Sequence, residues 1–288
     1  MTVNQSKNYN DRVTVEIRDS IADVRLDRAD KRNALDPAMF DAIAKAGKDL
    51  VMNQEIRAVV LSGSGNSFCA GLDFGSFQAM AGGGSASDGA KNSSSENSGG
   101  NAGAMQPGAI THLAQQICWV WQEVPVPVVA AIQGHALGGG MQLALGADIR
   151  VAHAETQFSM REVHWGLIPD MTGTLMLSRL VRDDVTKDLV FSARVISGTE
   201  AHALGVVTRL SDKPFETAMQ IAREIAERSP DAVRGAKALI NRLSNAGAAE
   251  HFAEERRIIY SLIGKPNQVE AVMSNFEKRP AKFVAPTV

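Results

Sequence analysis

A short apolar run that opens through three glycines into a second apolar run constrains this chain more than any other feature. Val128 to Gln133 is mostly apolar, Gly138, Gly139 and Gly140 follow, and Leu143, Ala144 and Leu145 suit a buried helix. Such a run reads as a buried strand. Glycines at the turn allow close strand-to-helix packing and leave the first helical amides unpaired, a place that stabilises an anion. Arg57 to Ser62 and Ile149 to Ala152 are two further buried strands. Val13, Val15 and Ile17, then Ile21, Val24 and Leu26, alternate as a hairpin turning near Asp19-Ser20. Asp36 to Met52 reads as an amphipathic helix with Asp36 as N-cap and Pro37 in the first position. Strands alternating with helices predict an α/β fold.

Past residue 185 the pattern turns helical. Thr199 is placed to cap a short helix ending before Gly205, and Ser229-Pro230 opens a helix over Asp231 to Leu243. Ala248 to Ile263 and Pro266 to Lys278 read as two more. The chain therefore divides into an α/β core over 1–195 and a helical region over 196–288. In the segment 81–104 all residues but Asp88, Lys91 and Glu96 are Gly, Ser, Ala or Asn. Such a composition buries too little surface to offset its ordering entropy and predicts an internal flexible loop, either a surface insertion or a lid.

Of the 288 residues, 30 are Lys or Arg and 32 Asp or Glu. That balance offers no basic field for nucleic acid or an anionic membrane. Two cysteines, Cys69 and Cys118, make neither a disulfide framework nor a zinc knuckle, which suits a reducing cytosol. The N-terminus shows no apolar signal region, and the longest apolar stretch, Val124 to Ile132, is too short to span a bilayer and holds two prolines. A cytoplasmic protein is expected. No histidine pair has metal-ligand spacing, so no metal is expected.

Three segments can carry chemistry. Ser67 to Asp73 holds an Ala70-Gly71 pair able to turn amides outward, or is an ordinary strand-to-helix turn. Gln133 to Gln142 is the glycine-opened helix, with Gly140 and Met141 where a phosphate loop needs Lys and Ser or Thr. In Phe158 to Asp170, Glu162 and Asp170 stand eight residues apart around an apolar stretch. An acid in apolar surroundings has its pKa raised, which suits proton transfer near neutral pH. The alternative is a surface ion pair of Glu162 with Arg161. His135, His164 and Cys69 read as structural residues.

Together and in this order these segments resemble the crotonase family, the enoyl-CoA hydratase/isomerase superfamily, from about Val13 to Phe283. The matching pieces are Arg28 with Asn33-Ala34-Leu35, Phe68 to Asp73, Gly134 to Gly140, Ala147 to Arg150, and Glu162 to Thr174. The resemblance implies a spiral of ββα units followed by a helical trimerisation region, assembled as a trimer or dimer of trimers. It implies acyl-CoA thioester substrates, with CoA part of the substrate and no separate cofactor. Matching positions assign Ala70 and Gly139 as the amides of an oxyanion hole. They assign CoA contacts to Arg28, Lys31, Ala34, Leu35, Leu72, Asp73, Gly138 and Lys278. Gln142 departs from the pattern, because hydratases of the family carry glutamate there. With Glu162 and Asp170 as the remaining acids, double-bond isomerisation is the favoured expectation. Hydration through Glu162 alone and acyl-CoA binding without catalysis are the rivals.

Overall fold

A computed structural model of the chain describes residues 5–76 and 101–285. Among these, seven strands form one sheet in the order β1-β2-β3-β4-β5-β7-β10, and three form a second in the order β6-β8-β9. The strands are β1 Gln5–Tyr9, β2 Val13–Arg18, β3 Ile21–Leu26, β4 Ala58–Gly63, β5 Val128–Ile132, β6 His135–Leu137, β7 Ile149–Ala152, β8 Gln157–Ser159, β9 Ile196–Ser197 and β10 Arg209–Leu210. The first three run antiparallel, and β3 to β10 continue the large sheet in parallel. Asp19 and Ser20 both take left-handed φ, at 50° and 61°, as a tight hairpin between right-twisted strands requires. Strand β1 was not expected. Its residues are polar and mostly exposed, because it forms the sheet edge.

Alternate residues of the central strands enter two different cores. Val59, Leu61, Val128, Ala130 and Ile132 pack with helices α1 Pro37–Met52 and α2 Leu113–Glu123 on one face. Ala58, Val60, Val129 and Ala131 pack with Ala218, Ile221 and Ala222 on the other. Cover on both faces explains why these strands read as unbroken apolar runs. Asp36 caps α1 as expected, accepting from the Met39 amide at 2.8 Å. Helix α2 starts instead at His112, whose ring accepts the Gln115 amide.

Two sequence expectations change here. The helical region does not begin at 196: β10 completes the large sheet beside β7, and the helix Pro214–Ala226 supplies the second face, so the α/β unit runs to residue 226. Ser197 rather than Thr199 caps the helix Gly198–Leu204, accepting from the Glu200 amide at 3.1 Å. The segment expected to be flexible, 81–104, lies outside the described residues up to residue 100. Its last four residues are fixed: Tyr260 donates to the Gly103 carbonyl and Leu113 to the Ala104 carbonyl. The helices Pro230–Ser244, Ala248–Leu262 and Pro266–Phe276 follow the predicted spans closely. No described helix is long and apolar enough to cross a membrane.

Candidate active site

The segment after β4 threads between two partners. Cys69 bridges in parallel to Ala136 of β6, and Leu72 bridges in parallel to Leu35. In a parallel bridge the bonds run through the neighbours of one residue, whose own amide then points away. Accordingly Leu35 donates to the Gly71 carbonyl at 2.8 Å and Asp73 donates to the Leu35 carbonyl at 3.0 Å. The Leu72 amide faces outward, and among the described residues it donates to nothing. The Gly139 amide, at the start of the helix Gly139–Leu145, likewise has no acceptor among the described residues. A Cβ on Gly71 (φ +91°) would stand 3.7 Å from the Gly139 nitrogen, so the two segments nearly touch.

The assignment to Ala70 is corrected. Its amide is already bonded to the Arg32 carbonyl at 3.0 Å and has no donor left for an anion. The unpaired amide on this segment is two residues later, at Leu72, because the two bridges force alternate amides to opposite sides.

Gln142 is fully buried. Its Oε1 accepts from the amides of Met171 and Gly173 at 2.9 and 3.0 Å, and its Nε2 donates to Glu162 Oε1 at 2.6 Å. Glu162 sits on a 3-10 turn, Glu162–Trp165, with no Arg161 ion pair; the Arg161 guanidinium donates to the Ala193 carbonyl instead. Gly138 lets this carboxyl approach, since a Cβ there would lie 3.2 Å from Glu162 Oε1. Glu162 Oε2 is buried and has no partner among the described residues. Burial pushes Glu162 up to about 7, against smaller opposing effects of its own backbone amide and Gln142. Asp170 is pushed up to about 8, first by burial, then by the charges of Glu255 and Glu162. The structure thus brings Glu162, Asp170, Gln142, Gly139 and Leu72 into one site.

A third carboxylate was missed. Glu255, 4% exposed, enters from the helix Ala248–Leu262. It accepts from the Thr172 amide at 3.2 Å, the Thr174 hydroxyl at 3.0 Å and Gln115 Nε2 at 3.0 Å. The signal was present: Ala248, Phe252, Glu255 and Ile259 share one buried helical face, and an acid among them is out of place.

The expected CoA contacts divide. Arg28 and Asp73 meet each other at 2.8 Å, with Asp36 at 3.5 Å from the same guanidinium nitrogen, so they tie the loops at 28–36 and 71–75 together. Burial raises Asp73, but the Gly75 amide and Arg28 outweigh it and hold the carboxyl below its ordinary range. Ala34 is partly buried and passes its carbonyl to Arg28, and Leu35 is fully buried. Lys31 and Lys278 are exposed. Lys278 lines a cavity of about 550 Å³ with His164, Asn275 and Phe283. Cys69 and His135 are structural as read: the thiol is buried and raised to about 12 by that burial, and the His135 ring lies 2.9 Å from Ser67 Oγ.

Two sheets wound around a glycine-opened helix, with acids gathered at its mouth, define a crotonase-type fold. Solved structures agree. An enoyl-CoA hydratase/isomerase from Mycobacterium paratuberculosis superposes with a TM-score of 0.81 at 21% identity, covering 93% of this chain and 100% of that one. One from Pseudoalteromonas atlantica gives 0.78 at 25% identity, covering 95% and 100%. The sequence profile of the enoyl-CoA hydratase/isomerase family matches residues 21–287, and the chain belongs to that family. Mouse methylglutaconyl-CoA hydratase, a mitochondrial protein, is 30% identical over 90% of this chain and 77% of its own length. Human enoyl-CoA hydratase domain-containing protein 2, also mitochondrial, is 30% identical over 92% and 85%.

Proposed function

We propose that this protein isomerises the double bond of an enoyl-CoA or dienoyl-CoA thioester. The observation that carries the reading is the state of the three side chains around the glycine-opened helix. Gln142 has both carbonyl lone pairs filled by backbone amides and donates to Glu162, and as an amide it cannot take a proton from the acyl chain or from water. Two acids remain, and both are raised toward neutrality.

The lower of the two, Glu162, acts as base through its unpartnered Oε2 and removes a proton from the acyl chain. The amides of Leu72 and Gly139 hold the thioester oxygen as it becomes an enolate, since preorganised donors stabilise developing charge without reorganising. Asp170, still protonated, delivers its proton to a different carbon. The double bond moves, no water is added, and exchange between the acids or with solvent resets them. Lys31 and Lys278, exposed cations at the expected CoA positions, would meet the phosphates. A trimer or dimer of trimers and a cytoplasmic location belong to the same proposal.

Hydration is the second reading, favoured by the names of the relatives. Incubating the protein with a panel of enoyl- and dienoyl-CoAs and weighing the products separates the two. Isomerisation gives products of unchanged mass, whereas hydration gives products heavier by one water. No turnover of any thioester leaves acyl-CoA binding.

A further inference from the structure

The turn that carries Asp170 is held from two sides. Gln142 accepts the amides of Met171 and Gly173, and Glu255 accepts the intervening amide of Thr172 and the hydroxyl of Thr174. Thr172 takes a left-handed φ of 70°, unusual for a β-branched residue and sustained only where surroundings over-determine it. The Thr172 hydroxyl is buried with no partner among the described residues, so the residue is held there by its backbone. Both Glu255 oxygens only accept, from Gln115, Thr172 and Thr174, with His251 Nε2 3.4 Å away. That pattern fits the ionised form.

We infer that Glu255 is a positioning residue for the proton-transfer pair: from the helix Ala248–Leu262 it fixes the Met171–Thr174 turn and sets a negative charge beside Asp170. The inference rests on the isomerase reading for its consequence, not for its geometry. Of the two carboxylates that act on Asp170, Glu255 is the stronger. The other ionisable groups facing this pocket are Glu162 on the 3-10 turn, and His251, Arg256 and Tyr260 on the same helix as Glu255. His112 and Cys118 face it from α2. Arg256 donates to Gln115 and the Ile110 carbonyl, and so does not neutralise Glu255 directly.

Glu255→Gln separates charge from grip. An amide keeps every contact: its oxygen takes Gln115 and Thr172, and its nitrogen donates to Thr174, whose hydroxyl turns to His251. The test is infrared difference spectroscopy of the protonated carboxyl band across pH, assigned by its loss in Asp170→Asn. In Glu255→Gln this band should disappear at lower pH than in the wild type, by roughly one pH unit. Where isomerase turnover is measurable, the alkaline limb of kcat should move by the same amount and in the same direction. Coincident bands in wild type and Glu255→Gln overturn the inference whether or not the protein turns over substrate. A shifted band without turnover overturns the isomerase reading alone. Glu255→Ala removes grip as well, so it should lower kcat further than Glu255→Gln at the pH optimum of each. Equal kcat in the two folded variants removes the positioning role.

Discussion

Gln142 decides more than any other side chain what this site can do. Its amide joins the segment carrying Glu162 to the turn carrying Asp170 through three hydrogen bonds. Gln142→Glu should therefore alter Glu162 in a defined direction. The new carboxylate would keep the Met171 and Gly173 amides, which favour its ionised form, and face Glu162 at the 2.6 Å of the present bond. Two like charges that close cannot both ionise, so Glu162 would hold the proton and titrate above about 7. The acid limb of the kcat profile should move to higher pH, and a limb that stays or moves lower contradicts the role given to Glu162. The sequence disclosed Gln142, Glu162 and Asp170 because residue type and spacing are read directly. It misplaced the first oxyanion amide by two positions, because which amide is free depends on bridges to Leu35 and Ala136, residues far away in the chain. Glu255 lies 85 residues past Asp170, and only the packing of its helix brings the two together.

Helix α1 shows how local signals and tertiary contacts combine. Asp36 caps it and also pairs with Arg12 at 3.0 Å and with Arg28 at 3.5 Å. Losing the cap alone costs about 0.5–2 kcal/mol. Asp36→Ala should cost at least that, seen as a lower midpoint in urea with an unchanged slope, and an unchanged midpoint would show that the cap is idle. Such elements were legible because their signals are local: the Asp-Pro start, the Asp19-Ser20 turn and the unbroken apolar strands. Strand β1 and helix α2 were not, since a polar edge strand has no apolar alternation and His112 is an uncommon cap. The boundary at 195 failed for a similar reason: β10 is two exposed residues long, and only pairing with β7 makes it a strand.

The helix Pro230–Ser244 leaves one side uncovered on the single chain. Leu239, Ile240 and Leu243 are 65%, 63% and 78% exposed, close together on successive turns. Apolar groups clustered in this way commonly meet another protein surface, which supports the proposed assembly. Sedimentation at micromolar concentration should return three or six times the 30.8 kDa of the chain, and Leu243→Asp should shift the distribution toward smaller species. A wild-type monomer contradicts the assembly while leaving the chemistry of the site untouched, since Glu162, Asp170, Gln142 and both free amides come from one chain.

The pairing of Glu162 with Asp170 is the centre of the mechanism, and each acid can be neutralised without changing its shape. Glu162→Gln removes the base, and Asp170→Asn removes the proton donor. Isomerase turnover of a reactive enoyl-CoA should fall in each variant by at least about 10²-fold, the lower end for general acid–base groups. Acyl-CoA affinity should change little in Asp170→Asn. Full activity in Asp170→Asn beside an inactive Glu162→Gln would contradict the two-acid account and leave a single base at work.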